Sequence, residues 1–126
     1  MDGNDKIVHV ALEILPDDLL DFYKHILGVE VTGERVLEKE TTKIIFGIEQ
    51  TVKIYFVRGD GFELELFVSK SLSPFSFSHI CLVSENADKV YKKALGKDYH
   101  AIKWGSDEFP TYFIKDGKGN LFELKN

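Results

Sequence analysis

The chain ends in residues 118–125, KGNLFELK, a short apolar stretch that contains one acidic residue, Glu123. Alternate side chains of a β-strand point to opposite faces, so this pattern predicts a strand with Glu123 on one face and Phe122 and Leu124 on the other. A carboxylate placed on a strand among apolar side chains needs a polar partner. The last strand therefore predicts a polar partner for Glu123.

The same Glu-Leu pair occurs earlier, at Glu65 in residues 62–68, FELELFV. Other features repeat in the same order, since the helix endings FYKHILG (22–28) and VYKKALG (90–96) match, and a histidine precedes each of them. Repetition of several features in one order indicates a duplicated unit. Each half is predicted to run β-α-β-β-β, with an insertion of roughly ten residues in the first half, at 38–50.

The predicted fold class is α+β, in a single domain over residues 1–126 with module one at 6–70 and module two at 76–126. A Ser-rich segment, 69–76, is the predicted linker between them. Amphipathic stripes predict helices over 16–27 and 86–95, closed by Gly28 and Gly96. The apolar run 43–48 inside the insertion predicts a further strand or hairpin arm.

Composition excludes several function classes. The 126 residues carry 21 acidic and 16 basic side chains, for a net charge of -5, and the charges are mixed along the chain. A nucleic-acid partner needs a basic patch, so none is expected. No apolar run is long enough to span a membrane, the segment 1–6 is polar, and the single Cys81 fits a reducing compartment. We therefore expect a cytoplasmic protein with no membrane partner.

Four residues have the chemistry of metal ligands: each half places a histidine on its first predicted strand and a glutamate on its last. They are His9, Glu65, His79 and Glu123. Taken singly, a strand histidine is more often a core residue and a strand glutamate more often simply exposed. The duplication favours ligands, and two imidazoles with two carboxylates, if they converge, suit Zn²⁺, Ni²⁺, Co²⁺, Mn²⁺ or Fe²⁺. Two coordination positions would stay open for substrate oxygens.

The chain resembles the vicinal oxygen chelate superfamily, which comprises glyoxalases, bleomycin resistance proteins and dioxygenases. The resemblance covers essentially the whole chain and rests on residues 9–12, 22–28, 64–67, His79 and the Asp-x-x-Gly-Asn-Leu-x-Glu-Leu motif at 116–124. It implies two βαβββ modules that form an eight-stranded, open barrel-like cleft. It also implies that the four residues named above are the metal ligands, that Glu123 or Glu65 moves the proton, and that the protein is a homodimer.

The complete set of four ligand positions is most similar to bacterial glyoxalase I. The function this implies is a metal-dependent lyase or isomerase, lactoylglutathione lyase-like or epimerase-like, that stabilises an enediolate or enolate of a small carbonyl substrate. The alternatives are an iron-dependent ring-cleaving dioxygenase and a non-catalytic, resistance-type protein that binds a small molecule. The glyoxalase I resemblance departs at Glu13, where that family has an arginine for a glutathione carboxylate, which argues against glutathione.

Three further residues are expected to contact substrate: Glu13, His100 and Trp104. Glu13 is predicted either to meet a cationic or hydroxyl-bearing substrate or to pair with a lysine. The polar loop 105–109 is a candidate lid, Cys81 is expected to be a small buried side chain, and the insertion at 38–50 is expected to shape the pocket.

Overall fold

The computed structural model describes residues 7–69 and 79–126, and it consists of two four-stranded sheets with three helices. The order is β1-β4-β3-β2 in the first sheet and β5-β8-β7-β6 in the second, and in each the first strand runs parallel to the last. The predicted α+β class and duplicated strand order are confirmed, as two separate open sheets. The strands are β1 Val10–Ile14, β2 Glu30–Leu37, β3 Val52–Gly59, β4 Phe62–Val68, β5 His79–Val83, β6 Ala101–Gly105, β7 Pro110–Lys115 and β8 Leu121–Lys125.

The two sheets bury the predicted faces. In β4, Leu64 and Leu66 are buried, and in β8, Phe122 and Leu124 are buried. These residues belong to one hydrophobic cluster that draws on both sheets. Because side chains alternate along a strand, the face that carries Glu65 and Glu123 in each sheet points away from the shared core. We call this outer surface of each sheet its glutamate face.

The first helix, Leu19–Lys24, is a short π-helical segment inside the longer predicted range. Its predicted apolar stripe is correct, since Phe22, Tyr23 and Ile26 are all buried. The ring of Phe22 lies 5.9 Å from that of Phe122 in β8. The first helix therefore packs on the second sheet and joins the two halves.

The third helix, Ala87–Gly96, packs against β6 and β7 of its own sheet. The ring of Tyr91 lies 4.8 Å from that of Tyr112 in β7. The prediction that Gly96 closes this helix from outside is wrong, because Gly96 is the last residue of the helix. Asp98, at φ 61°, adopts the left-handed conformation that follows the helix.

The prediction of a strand within the insertion is wrong. Residues Lys39–Phe46 form a helix, which we call the insertion helix. The apolar run favoured a strand, but Gly47 takes a left-handed conformation at φ 72° and its N–H donates to the carbonyl of Lys43, which is a helix C-terminal signal. Thr42 adds a hydrogen bond from its hydroxyl to the carbonyl of Gln50, 2.8 Å, which fixes the following segment.

Two other expectations are corrected. β1 begins at Val10, so His9 lies immediately before the strand and not within it. Cys81 is exposed, because it lies on the outward glutamate face of the second sheet and not in the core. The linker segment 70–76 and the N-terminal residues 1–6 lie outside the described residues. No described helix has the length and apolar character needed to cross a membrane.

A buried polar network ties the turn between β7 and β8 to the first helix. The carboxylate of Asp116 accepts hydrogen bonds from the Tyr23 hydroxyl, 2.7 Å, from the Asn120 amide side chain, 2.8 Å, and from the N–H groups of Gly119 and Asn120, 2.9 and 2.8 Å. Burial raises the pKa of Tyr23 well above its ordinary value, and the Asp116 charge raises it further. Tyr23 therefore stays protonated and remains a donor.

A second carboxylate, that of Asp18, also stabilises the turn between β7 and β8. It accepts the N–H groups of Gly117, 2.8 Å, Lys118, 3.2 Å, and Leu15, 2.9 Å. Burial raises the pKa of Asp18, and this effect outweighs the opposing N–H donors. A Cβ on Gly117 would lie 2.6 Å from the Asp18 carboxylate, so this position needs glycine for close approach.

The network makes a stability prediction. We expect Asp116→Ala to lower the free energy of unfolding by about 2–4 kcal/mol, because it leaves a buried hydroxyl and two backbone N–H groups without their acceptor. Tyr23→Phe should cost about 1 kcal/mol, since Asp116 keeps its other donors. Urea denaturation measures both. The matched control is Asp107→Ala, because the Asp107 side chain is fully exposed; equal loss in Asp116→Ala and this control would contradict the role of the network.

Candidate metal centre

The first half brings His9 and Glu65 together. His9 lies just before β1, and β1 pairs in parallel with β4 so that Ala11 is opposite Glu65. This register places the imidazole against the carboxylate, with His9 Nε2 3.0 Å from Glu65 Oε2. The His9 side chain is 43% exposed and that of Glu65 is 22% exposed. The pair is thus fixed by the sheet yet open to solvent on the glutamate face.

The second half repeats this arrangement. β5 pairs in parallel with β8 so that Cys81 is opposite Glu123, and His79 Nε2 lies 3.2 Å from Glu123 Oε1. The other oxygen, Oε2, lies 3.2 Å from Nζ of Lys125. In both halves the residue opposite the glutamate follows the histidine by two positions. The two His–Glu pairs therefore occupy equivalent places in the duplicated fold.

The four predicted ligands do not form one cluster within a single chain. Among residues 7–69 and 79–126, no group of three or more His, Cys, Asp or Glu side chains is placed to hold a metal ion. The four residues are separated because the two sheets share one core. The buried face of each sheet packs on this core, so the two glutamate faces point away from it. The chain presents two separate half-sites, each with one nitrogen and one oxygen donor.

Glu13 pairs with a lysine, one of its two predicted roles. Its Oε2 lies 3.5 Å from Nζ of Lys118, whose side chain is only 1% exposed and which comes from the second half of the chain. The Glu13 carboxylate itself is half exposed. Its backbone carbonyl accepts a hydrogen bond from the Asn120 side chain. Glu13 is thus both a contact between the halves and a carboxylate that faces outward near the first half-site.

Trp104 lies on the glutamate face of the second sheet, and His100 immediately precedes the same strand; contact of either residue with substrate stays a prediction. Ile102, between them in sequence, is opposite Phe113 in β7, which is in turn opposite Glu123. His100 precedes β6, and its carbonyl accepts the N–H of Lys115, 3.0 Å. Trp104 is 70% exposed. The two residues border the second half-site at the far edge of the sheet.

Sequence reasoning missed two features of the site. Strand alternation puts Lys125 on the same face as Glu123, but it does not predict the 3.2 Å contact between the Lys125 ammonium and the Glu123 carboxylate. A cavity of about 180 Å³ lies between the insertion helix and strands β1 and β4, and its walls include Glu13 and Phe67. This cavity was not expected from the sequence, because residues 43–48 were predicted to form a strand and not part of a helix that lies over the sheet. A broader depression of about 420 Å³ adjoins His9 on its other side and is bordered by Arg58 and Glu63.

The comparisons with known proteins show which family the chain belongs to. The model of the Glyoxalase/Bleomycin resistance protein/Dioxygenase superfamily matches residues 7–124. The chain belongs to this superfamily. No curated protein sequence matches it significantly.

Solved structures share the superfamily fold at low sequence identity. The glyoxalase family protein from Enterococcus faecalis is 19% identical, with 98% of each chain covered and a TM-score of 0.69. The fosfomycin resistance protein FosX from Listeria monocytogenes is 17% identical, with 96% of this chain and 90% of that chain covered and a TM-score of 0.72. A FosX variant, 15% identical over 96% and 89% of the chains with a TM-score of 0.71, was solved with Mn(II) and 1S,2S-dihydroxypropylphosphonic acid. These similarities establish the fold and leave the reaction of this superfamily member to be argued from its site.

Proposed function

We propose that this superfamily member is a metal-dependent enzyme of the lyase or isomerase type, acting on a small carbonyl substrate through two vicinal oxygens. The observation that carries the proposal is the pair of equivalent His–Glu contacts, 3.0 Å for His9 and Glu65 and 3.2 Å for His79 and Glu123. The glyoxalase I-like reaction is the form of this chemistry that the four-ligand pattern favours. Mn(II) in a FosX structure supports a divalent metal on this fold.

The donor geometry of each half-site fits a divalent ion. Nitrogen and oxygen ligands lie about 2.0–2.2 Å from such an ion, so two ligands at about 90–110° from each other are about 2.8–3.6 Å apart. Both observed contacts fall in this interval. Each half-site would supply two adjacent ligands, and two half-sites together would leave room for two substrate oxygens.

Completion of the site requires a second copy of the chain. The His9–Glu65 and His79–Glu123 pairs lie on surfaces that turn away from one core, so one chain cannot close them around one ion. A twofold homodimer in which the first half-site of each chain faces the second half-site of its partner would build two complete sites. Exposed apolar residues on the glutamate face of the second sheet, Ile102 and Trp104, fit a surface that becomes covered in such a dimer.

The metal would act as a Lewis acid that stabilises negative charge on the substrate oxygens as an enediolate or enolate develops. The chain itself supplies the proton carrier, and the two glutamates are not equivalent in this role. Glu123 is held at both oxygens, by His79 and by Lys125, so its movement must break an ion pair. Glu65 contacts His9 through one oxygen, and among the described residues it has no lysine or arginine partner. We therefore assign proton transfer to Glu65, and we assign to Glu123 the role of a fixed metal ligand.

Metal binding tests the ligand set. We expect metal-stripped wild-type protein to take up about one Ni²⁺ or Mn²⁺ per chain, measured by elemental analysis and calorimetry. Glu65→Gln and Glu123→Gln should each weaken binding at least tenfold, because loss of a second-shell partner alone typically costs about 10–100-fold. The matched control is Glu63→Gln, an exposed glutamate on the same face of β4. Absence of metal uptake by the wild type would remove the basis for the enzyme proposal.

A mixing experiment tests the composite site. We expect the double variants His9→Gln/Glu65→Gln and His79→Gln/Glu123→Gln each to lose tight metal binding. When equal amounts of the two variants are unfolded and refolded together, half of the dimers should contain one chain of each variant. In such a mixed dimer, one of the two metal sites combines two intact half-sites and the other combines two altered ones. Binding should then return to about one quarter of the wild-type sites. If each site were built within one chain, mixing would restore nothing. Refolded wild-type protein controls for recovery.

A further inference from the structure

We propose that the cavity beneath the insertion helix is a specificity pocket that holds a neutral, apolar arm of the substrate, of the size of a phenyl ring or a branched alkyl group. This inference rests on the proposed function, because the arm would be attached to the two oxygens held at the His9–Glu65 half-site. It assigns to the insertion a chemical role that the duplicated fold does not require. In the second half, the equivalent segment between β6 and β7, which the structure describes in full, contains no helix.

The insertion helix is fastened over the glutamate face of the first sheet. The ring of Phe46, at the end of the helix, meets that of Phe67 in β4 edge to face, with centroids 5.6 Å apart. The Thr42 hydroxyl donates to the carbonyl of Gln50, 2.8 Å, and accepts the N–H of the same residue, 3.3 Å. These contacts fix the insertion helix and the segment after it above the sheet. The cavity between the insertion helix and strands β1 and β4 therefore has defined walls.

The cavity adjoins the first half-site directly. Phe67, in its wall, follows Glu65 by two residues on the same face of β4, and Ala11, also in its wall, is opposite Glu65 in β1. Two residues along a strand span about 6.6–6.8 Å. An apolar ring joined to the chelating oxygens through a chain of about four bonds would therefore reach the cavity while the oxygens remain at the half-site.

Size and lining define the class of arm. Engineered protein cavities of about 150 Å³ bind benzene, and this cavity has about 180 Å³ with mostly apolar walls. The charged group in its wall is the carboxylate of Glu13, while the ammonium of Lys118 lies buried behind it. The pocket thus presents an anion, which disfavours an arm that ends in a carboxylate and accepts a neutral arm or one that donates a hydrogen bond.

The two half-sites differ at the equivalent position, and this difference orients the substrate. Phe67 follows Glu65 by two residues in the first half, whereas Lys125 follows Glu123 by two residues in the second half. When the half-sites face each other, one side of the site is apolar and the other carries an ammonium. The apolar arm has a preferred side, toward the insertion helix.

The test compares two chelators that differ only in the arm. Phenylpropanohydroxamic acid and acetohydroxamic acid both offer two vicinal oxygens, but only the first has a phenyl group. With Ni²⁺-loaded wild-type protein, we expect calorimetry to show the phenyl compound binding about tenfold or more tighter, from burial of the ring. Ala11→Leu, which adds a larger side chain in the cavity wall, should reduce this preference to less than about threefold.

Three further measurements keep the outcomes separate. Ile48→Trp also fills the cavity and replaces Ala11→Leu if that variant does not fold. Ile44→Ala is the control: this position of the insertion helix is 85% exposed, so the variant should keep the preference for the phenyl compound. Fluorine NMR of para-fluorobenzyl alcohol with metal-free protein should show binding to the wild type that Ala11→Leu abolishes. Equal affinity for the two hydroxamates in the wild type, or a preference that survives both filling variants, overturns the pocket. If neither hydroxamate binds but the alcohol does, the pocket stands and the proposed metal function fails.

Discussion

The structure depends on the buried contact between Asp116 of the second half and Tyr23 of the first. The carboxylate accepts the Tyr23 hydroxyl at 2.7 Å and, through its remaining hydrogen bonds, shapes the turn before β8. A buried carboxylate with several donors tolerates few other arrangements, because each lost partner leaves a polar group without compensation. This constraint fixes the first helix on the second sheet. It thereby fixes the direction in which both glutamate faces point.

The separation of the two half-sites follows from that packing. A sheet of this kind has one face for the core, and both sheets use it on a common cluster that includes Leu66 and Phe122. The histidines and glutamates lie on the remaining faces, where the described structure leaves large side chains such as Trp104 exposed. Under the proposed function, a second copy of the chain would complete the half-sites and cover this apolar surface.

The two half-sites occupy equivalent places in the repeated fold but have different surroundings. The donor atoms are of the same types and similarly spaced, with contacts of 3.0 and 3.2 Å. Their surroundings differ: the insertion helix and Phe67 border Glu65, whereas Lys125 borders Glu123. In a site assembled from both, equal donors would hold the ion and unequal neighbours would select and orient the substrate.

The sequence by itself determined which residues share a face, because alternation in a strand is local: Leu64 and Leu66 against Glu65, Phe122 and Leu124 against Glu123. It also determined the duplicated order of the elements, since repeats are visible without contacts. Tertiary structure decided three points that local pattern does not carry. The run at 43–48 became a helix once Gly47 closed it and Thr42 bonded to Gln50. Cys81 became exposed, and the four candidate ligands became two pairs, because the side on which a sheet is buried depends on what packs against it.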